Sequence, residues 1–174
     1  VLRKLDPETR ARFEREQRLL NEIGEQGGFV PLVGTGSAPE GPYLVMPFIG
    51  GGTLRSRLEK GPLGIDEALE LGRTLAQTLG RAHERGIVHR DLKPENILFD
   101  EQAGDIAKVT DFGLATFFDD AKRTSRFNVT ETHVSMGTLS YMAPEQRVDA
   151  KNADHRADVY SLGVMLYELL VGEV

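Results

Sequence analysis

No cysteine occurs in the 174 residues, which excludes a disulfide framework and a thiolate metal site alike. Long hydrophobic runs are also missing. The longest, Leu162 to Val171, is interrupted by Glu168 and is too short to span a bilayer. No signal-peptide pattern opens the chain. These absences lead to the expectation of a cytoplasmic protein, with any membrane anchor confined to flanking segments. Positive charge is in deficit: 21 Lys and Arg stand against 27 Asp and Glu, a net charge of −6. That balance argues against a broad nucleic-acid surface. No internal repeat, low-complexity tract or linker is evident. What remains is 40% hydrophobic residues, enough for the core of one ordinary domain.

The densest chemistry lies in residues 87 to 113, IVHRDLKPENILFDEQAGDIAKVTDFG. The short apolar runs Ile87-Val88 and Ile97-Leu98-Phe99 bracket His89, Arg90, Asp91, Lys93, Glu95 and Asn96. Pro94 removes an N–H donor and forbids a regular helix there, so a rigid polar loop pinned at both ends is expected. Asp111-Phe112-Gly113 follows a Val-Thr strand signal. Two carboxylates and an amide on loops at neighbouring strand ends suit magnesium and a transferring phosphoryl group, because hard divalent cations take oxygen ligands.

HRDLKPEN, then DFG, then Ala143-Pro144-Glu145, in that order, resembles the catalytic core of Hanks-type (eukaryotic-like) serine/threonine protein kinases of bacterial appearance. The resemblance covers nearly the whole chain. It implies a protein-kinase-like α+β fold, with a partial N-lobe of helix plus strands over residues 1–49 and a partial, mainly helical C-lobe over 50–174. It also implies a catalytic-domain fragment, poorly soluble and nearly inactive by itself. The implied activity is phosphorylation of serine or threonine on protein substrates, with ATP and Mg2+ as cofactors. In the family's roles, Asp91 orients the substrate hydroxyl, Lys93 places a cation near the transferred group, and Asn96 and Asp111 ligate the metal. Asp158 is similar to the central-helix aspartate that binds the catalytic loop's N–H groups. Arg90 marks kinases whose long loop is ordered by phosphate, and Thr130 and Thr132 resemble a bacterial Thr-x-Thr switch.

The rest of the chain reads as follows. Asp6-Pro7 starts a helix running to about Ile23, whose apolar stripe Phe13, Leu20, Ile23 also contains Glu16. On pattern alone Glu16 either reaches solvent from the stripe edge or faces inward to await a cation. The resemblance favours the inward role, pairing with a strand lysine at the nucleotide. That lysine and the glycine-rich phosphate loop are missing, and Lys4 is a poor substitute. Strands are expected at 29–34 and 43–49 around a turn-rich 36–42, with Pro47 demoting the second to an edge or an end. By resemblance, Met46 guards the back of the adenine pocket, Pro47 C=O and Ile49 N–H face the base, and Leu98 lies beneath it. Gly50-Gly51-Gly52 lacks the G-x-G-x-x-G pattern and reads as a flexible link, with Thr53 capping a short helix.

Asp66 is expected to cap a longer helix with the stripe Ala68, Leu71, Leu75, Leu79, Ala82, ending at Gly86. His83 reads as a packed or partly exposed helix residue. The final helix, 157–171, is apolar almost all round and belongs in the centre of a core. Two rivals accompany the kinase reading: a non-catalytic homologue that binds nucleotide or acts as a scaffold, and a small-molecule phosphotransferase. Intact Asp91, Asn96 and Asp111 argue against the first. Lys93, the long loop and the Ala-Pro-Glu motif argue against the second.

Overall fold

The structure, a computed structural model, describes residue 24 and residues 28–38, 41–111, 136–149 and 153–174. The expected helix over 6–23, with Glu16 and Leu20, lies outside the described residues, as do Phe112, Thr130 and Thr132.

Strands β1 (Gly34–Ala38) and β2 (Gly41–Val45) form an antiparallel ribbon, with Gly34 opposite Val45 and Ala38 opposite Gly41. The expected strand positions are therefore corrected. Phe29 makes only an isolated parallel bridge to Val109, and β1 runs through the stretch read as a turn. Glycine and proline are breakers inside a central sheet. In a two-stranded ribbon a neighbour's ring can fill the space a glycine leaves. Gly36 shows this: a Cβ there would lie 2.3 Å from the Tyr43 ring. Residues 46–49 carry no regular structure, so Pro47 does stand past the strand's end.

Helix α1 (Leu54–Leu58) begins as expected, with Thr53 and Ser56 forming a reciprocal capping box and Leu54 and Leu58 buried. The glycines before it are not a free link. Gly51 N–H donates to Phe99 O at 3.0 Å and Phe99 N–H donates to Gly52 O at 3.0 Å. A Cβ on Gly51 would come within 2.3 Å of that same Phe99 oxygen. Close backbone approach, not mobility, is what requires glycine at this position.

Helix α2 (Ile65–His83) starts two residues earlier than Asp66 capping implies. Gly64 is the N-cap, because its carbonyl accepts the first helical bond from Ala68 N–H at 2.9 Å. Asp66 instead sits in the first turn, where its charge favours the helix dipole. The buried stripe is the expected one, extended by Gly72 and Thr78. Gly72 lets α2 approach its neighbour, since a Cβ there would meet Leu166 Cδ2 at 2.5 Å. The helix end is a Schellman arrangement: Ile87 N–H bonds Ala82 O, Gly86 N–H bonds His83 O, and Gly86 has φ 73°.

Strands β3 (Ile97–Asp100) and β4 (Ile106–Val109) pair antiparallel, Ile97 opposite Val109 and Asp100 opposite Ile106. Period-two alternation buries Ile97, Phe99, Ala107 and Val109. Helices α3 (Met136–Tyr141), α4 (Pro144–Asp149) and α5 (Arg156–Val171) follow. The core gathers Phe29, Leu54, Leu75, Leu79, Leu92, Ile97, Phe99, Val109, Met165 and Leu169.

Helix α5 departs from its all-round apolar reading. Half of its buried face is polar (Asp158, Ser161, Glu168), while Val159 is 60% and Leu170 46% exposed. The buried polar groups are tolerated because each has partners. Ser161 Oγ bonds the carbonyls of Tyr141 and Ala157 at 2.7 and 3.0 Å.

Candidate active site

The loop between α2 and β3 is built around its buried members. His89, Leu92, Pro94 and Asn96 point inward, which leaves Arg90, Asp91 and Lys93 half-buried and Glu95 exposed. Its keystone is Asp158 on α5, fully buried. Oδ2 accepts His89 N–H at 2.8 Å and His83 Nε2 at 2.7 Å, and Oδ1 accepts Arg90 N–H at 2.8 Å. This is the contact the resemblance implied for Asp158. Burial works to raise its pKa, but the His83 bond, the nearby His89 and the two N–H donors outweigh that and hold it below the usual range. With both peptide N–H groups tied, Arg90 adopts φ 66°, a left-handed conformation unusual for a residue with a side chain.

His89 has a definite tautomer. Nδ1 accepts the Asp91 N–H at 3.2 Å, so Nε2, 2.9 Å from Thr110 O, must carry the proton and donate. Burial pushes its pKa down and keeps the ring neutral, against the opposing pull of Asp158, the Thr110 carbonyl, Asp91 and Asp111. His89 therefore joins Asp91 to the end of β4, as a hydrogen-bonded packing residue.

Three of the sequence-predicted catalytic residues meet directly. Lys93 Nζ lies 2.8 Å from Asp91 Oδ2, and Asn96 Nδ2 donates to Asp91 O at 2.7 Å and to Asp91 Oδ2 at 3.3 Å. A short 3-10 turn over Pro94–Asn96 brings this about, and Thr110 N–H then bonds Asn96 O at 2.9 Å. Asp111, the fourth, follows directly after Thr110, exposed and at φ 59°.

Of the residues expected on the adenine side, Met46 and Pro47 are exposed, and Ile49 and Leu98 are half-buried. Leu98 pairs with Thr53 in an isolated bridge that ties β3 to the start of α1. Among the described residues no group of three His, Cys, Asp or Glu could cage a metal. The donors at hand are the Asp111 carboxylate and the Asn96 amide oxygen, its Nδ2 being engaged by Asp91. So sparse an oxygen set fits magnesium, which retains water and substrate phosphate in its shell.

Several participants escaped the sequence reading. Arg55 on α1 donates Nε to Glu95 at 2.9 Å, Nη1 to Glu168 at 2.6 Å and Nη2 to Tyr141 Oη at 2.6 Å. Tyr141 also donates to Glu168. Burial disfavours charge on Arg55, but Glu168, Glu95 and Tyr141 raise its pKa overall. The Tyr141 phenol is pushed up, by burial first and by Glu168 second. The network secures the loop residue between Lys93 and Asn96 to α1 and α5. Glu168 gave a signal, since a carboxylate interrupting an apolar helix needs a partner when buried. Arg55, Tyr141 and the His83–Asp158 bond gave none, their partners being 75 to 113 residues away for His83 and Arg55 to α5.

The sequence profile of the protein kinase domain matches residues 2–174. The chain is 40% identical over 164 residues to the serine/threonine-protein kinase pkn2 of Myxococcus xanthus, covering 94% of this chain and 19% of that protein. It is 40% identical over 168 residues to the serine/threonine-protein kinase PknL of Mycobacterium tuberculosis, covering 96% of this chain and 40% of PknL. The chain thus spans well under half the length of these curated relatives. A crystal structure of Rad53 in complex with AMP-PNP superposes with a TM-score of 0.70 at 30% identity, over 92% of this chain and 38% of that one. The Mycobacterium tuberculosis PknI kinase domain gives a TM-score of 0.71 at 24% identity, over 97% of this chain and 58% of that one, a likeness of fold.

Proposed function

The chain belongs to the protein kinase family, and on that premise we propose that it carries the centre for ATP-dependent phosphorylation of serine or threonine on protein substrates. The observation that carries this reading is the contact of Lys93 and Asn96 with Asp91, beside Asp111 at the end of β4. Phosphoryl transfer asks a protein for positioning and charge compensation more than for covalent chemistry. In this reading Asp91 accepts a hydrogen bond from the substrate hydroxyl and takes its proton. Lys93, held by Asp91, presents positive charge to the transferred group. Asn96 and Asp111 hold magnesium, which supplies charge neutralisation at the ATP phosphates when bound. Met46, Pro47, Ile49 and Leu98 form the adenine side, with Glu16 awaiting a cationic partner. Residues 1–49 form part of the smaller lobe and 50–174 part of the larger, in a cytoplasmic kinase domain.

Regulation belongs to the same proposal. Among the described residues Arg90 Nε is buried without a hydrogen-bond partner, which supports a role for its guanidinium in receiving phosphate from Thr130 and Thr132.

The test is phosphotransfer from ATP labelled at the γ-phosphate, using the complete protein and a serine/threonine substrate. Asp111→Ala and Asp91→Asn should each lower transfer by at least about 100-fold, the scale of losing an electrostatic or positioning group. Equal transfer by wild type and Asp111→Ala would overturn the assignment. Nucleotide binding by a wild type that transfers nothing would favour the scaffold reading instead.

A further inference from the structure

Gln146 sits in the first turn of α4, two residues past Pro144, and is only 6% exposed. Both ends of its amide are engaged. Oε1 accepts the Ala143 N–H at 3.1 Å, and Nε2 donates to the Arg90 carbonyl at 2.8 Å. These two partners fix which end is oxygen and which is nitrogen, since Ala143 N–H needs an acceptor and Arg90 C=O a donor. The Ala143 contact is a helix-end contact, in which a Gln or Glu reaches back to an N–H three residues earlier. The Arg90 contact contributes nothing to the helix. A carboxylate, which has no donor, could not make it.

The Arg90 contact lands where geometry is most demanding. Arg90 holds φ 66°, and its carbonyl belongs to the peptide whose N–H is that of Asp91. That peptide is gripped on both sides, by Gln146 at the carbonyl and by His89 Nδ1 at the N–H. Asp158 Oδ1 holds the peptide before it through Arg90 N–H. A residue in a sparsely populated conformation persists only where its surroundings over-determine it, and Gln146 is the sole side chain donating to that carbonyl among the described residues. We infer that Gln146 is a positioning residue for Asp91. By anchoring the Arg90–Asp91 peptide to α4, it aims the Asp91 carboxylate and ties its orientation to the helix following Ala143-Pro144. The inference rests on Asp91 serving the phosphotransfer proposed above.

Gln146→Glu separates the two roles, because it preserves the acceptor toward Ala143 and removes the donor toward Arg90. In the complete protein at about pH 8, chosen well above the ordinary glutamate pKa to favour the ionised carboxylate, kcat should fall roughly 10- to 100-fold, the scale of a displaced reacting group. KM for ATP should stay within about twofold, since the affected contact is not a ground-state nucleotide contact. Amide exchange at Asp91 should quicken while α4 amides keep their protection. Gln146→Met, lacking both contacts, should show the same loss of kcat and is read instead if Gln146→Glu fails to fold. A kcat within about twofold of wild type for either folded variant overturns the inference. So does a loss confined to KM. If wild type itself transfers no phosphate, the phosphotransfer reading fails, and the exchange rate at Asp91 still decides whether Gln146 orders that peptide: unchanged exchange refutes it, faster exchange supports it.

Discussion

Replacing Asp158 by alanine removes one acceptor from three donors at once: His83 Nε2 at 2.7 Å, His89 N–H at 2.8 Å and Arg90 N–H at 2.8 Å. The donors do not suffer equally. His83 retains 16% side-chain exposure and can turn to water. The two peptide N–H groups are held inside by the loop and cannot. Each buried donor left unsatisfied costs about 1–3 kcal/mol, and removing one partner of a buried charged contact costs about 3–5 kcal/mol. We expect a loss of about 4 kcal/mol of unfolding free energy, seen as a fall in Tm on the order of 10 °C. Asp158→Asn keeps one oxygen but turns an NH2 toward a donor, so its loss should be roughly half as large. Denaturant unfolding of wild type and both variants, with phosphotransfer measured on the folded fraction, provides the assay. Activity should fall beyond the fraction unfolded, because the freed N–H groups no longer hold Arg90 at its left-handed φ. A loss under about 1 kcal/mol for the alanine variant would refute the keystone argument, since it would mean that solvent already satisfies those N–H groups.

Three further expectations follow from particular atoms. Gly51→Ala should destabilise by about 1–3 kcal/mol, the usual range for forced overpacking, because its Cβ meets Phe99 O at 2.3 Å. Gly163→Ala on α5 has nothing within 4 Å and should stabilise by up to about 1 kcal/mol, so equal effects in chemical denaturation would contradict the packing. Stability should decline on acidification in two windows. Below about pH 6.5 the unfolded chain protonates the histidine at 89 while the buried His89 stays neutral, and near and below about pH 4 the depressed Asp158 binds its proton later than the unfolded chain does. In both windows the unfolded state holds more protons, so unfolding free energy must rise with pH, and a flat profile from pH titration of urea unfolding would exclude it. For the proposed switch, Thr130→Ala/Thr132→Ala and Arg90→Ala should each lower activity with nucleotide binding retained, and their combination should be far from additive.

The loop chemistry was legible in the chain because it is local. Pro94 bars a helix, Asp91, Lys93 and Asn96 fall within six residues, and a 3-10 turn brings them together with little help from elsewhere. The α2 stripe and the Thr53 cap were legible for the same reason: helical periodicity and capping act over three or four residues. The β1–β2 ribbon was misread because its glycines and prolines are acceptable only once Tyr43 lies across Gly36. Gly51 reads as part of a flexible link in the sequence because nothing there reveals the backbone oxygen pressed against it.

The order of the motifs thus pointed to the family, and periodicity and capping to helices α1, α2 and α5. The resemblance pointed to Asp158 as an anchor of the loop; the other groups that hold it were decided by tertiary structure alone. His83, Arg55, Glu168 and Gln146 come from other helices, and nothing in the local pattern pairs them with the loop or with Asp158. The physical reason is that a buried polar group is defined by partners wherever the fold supplies them. Local propensity decides where a side chain begins, and packing decides what it can reach.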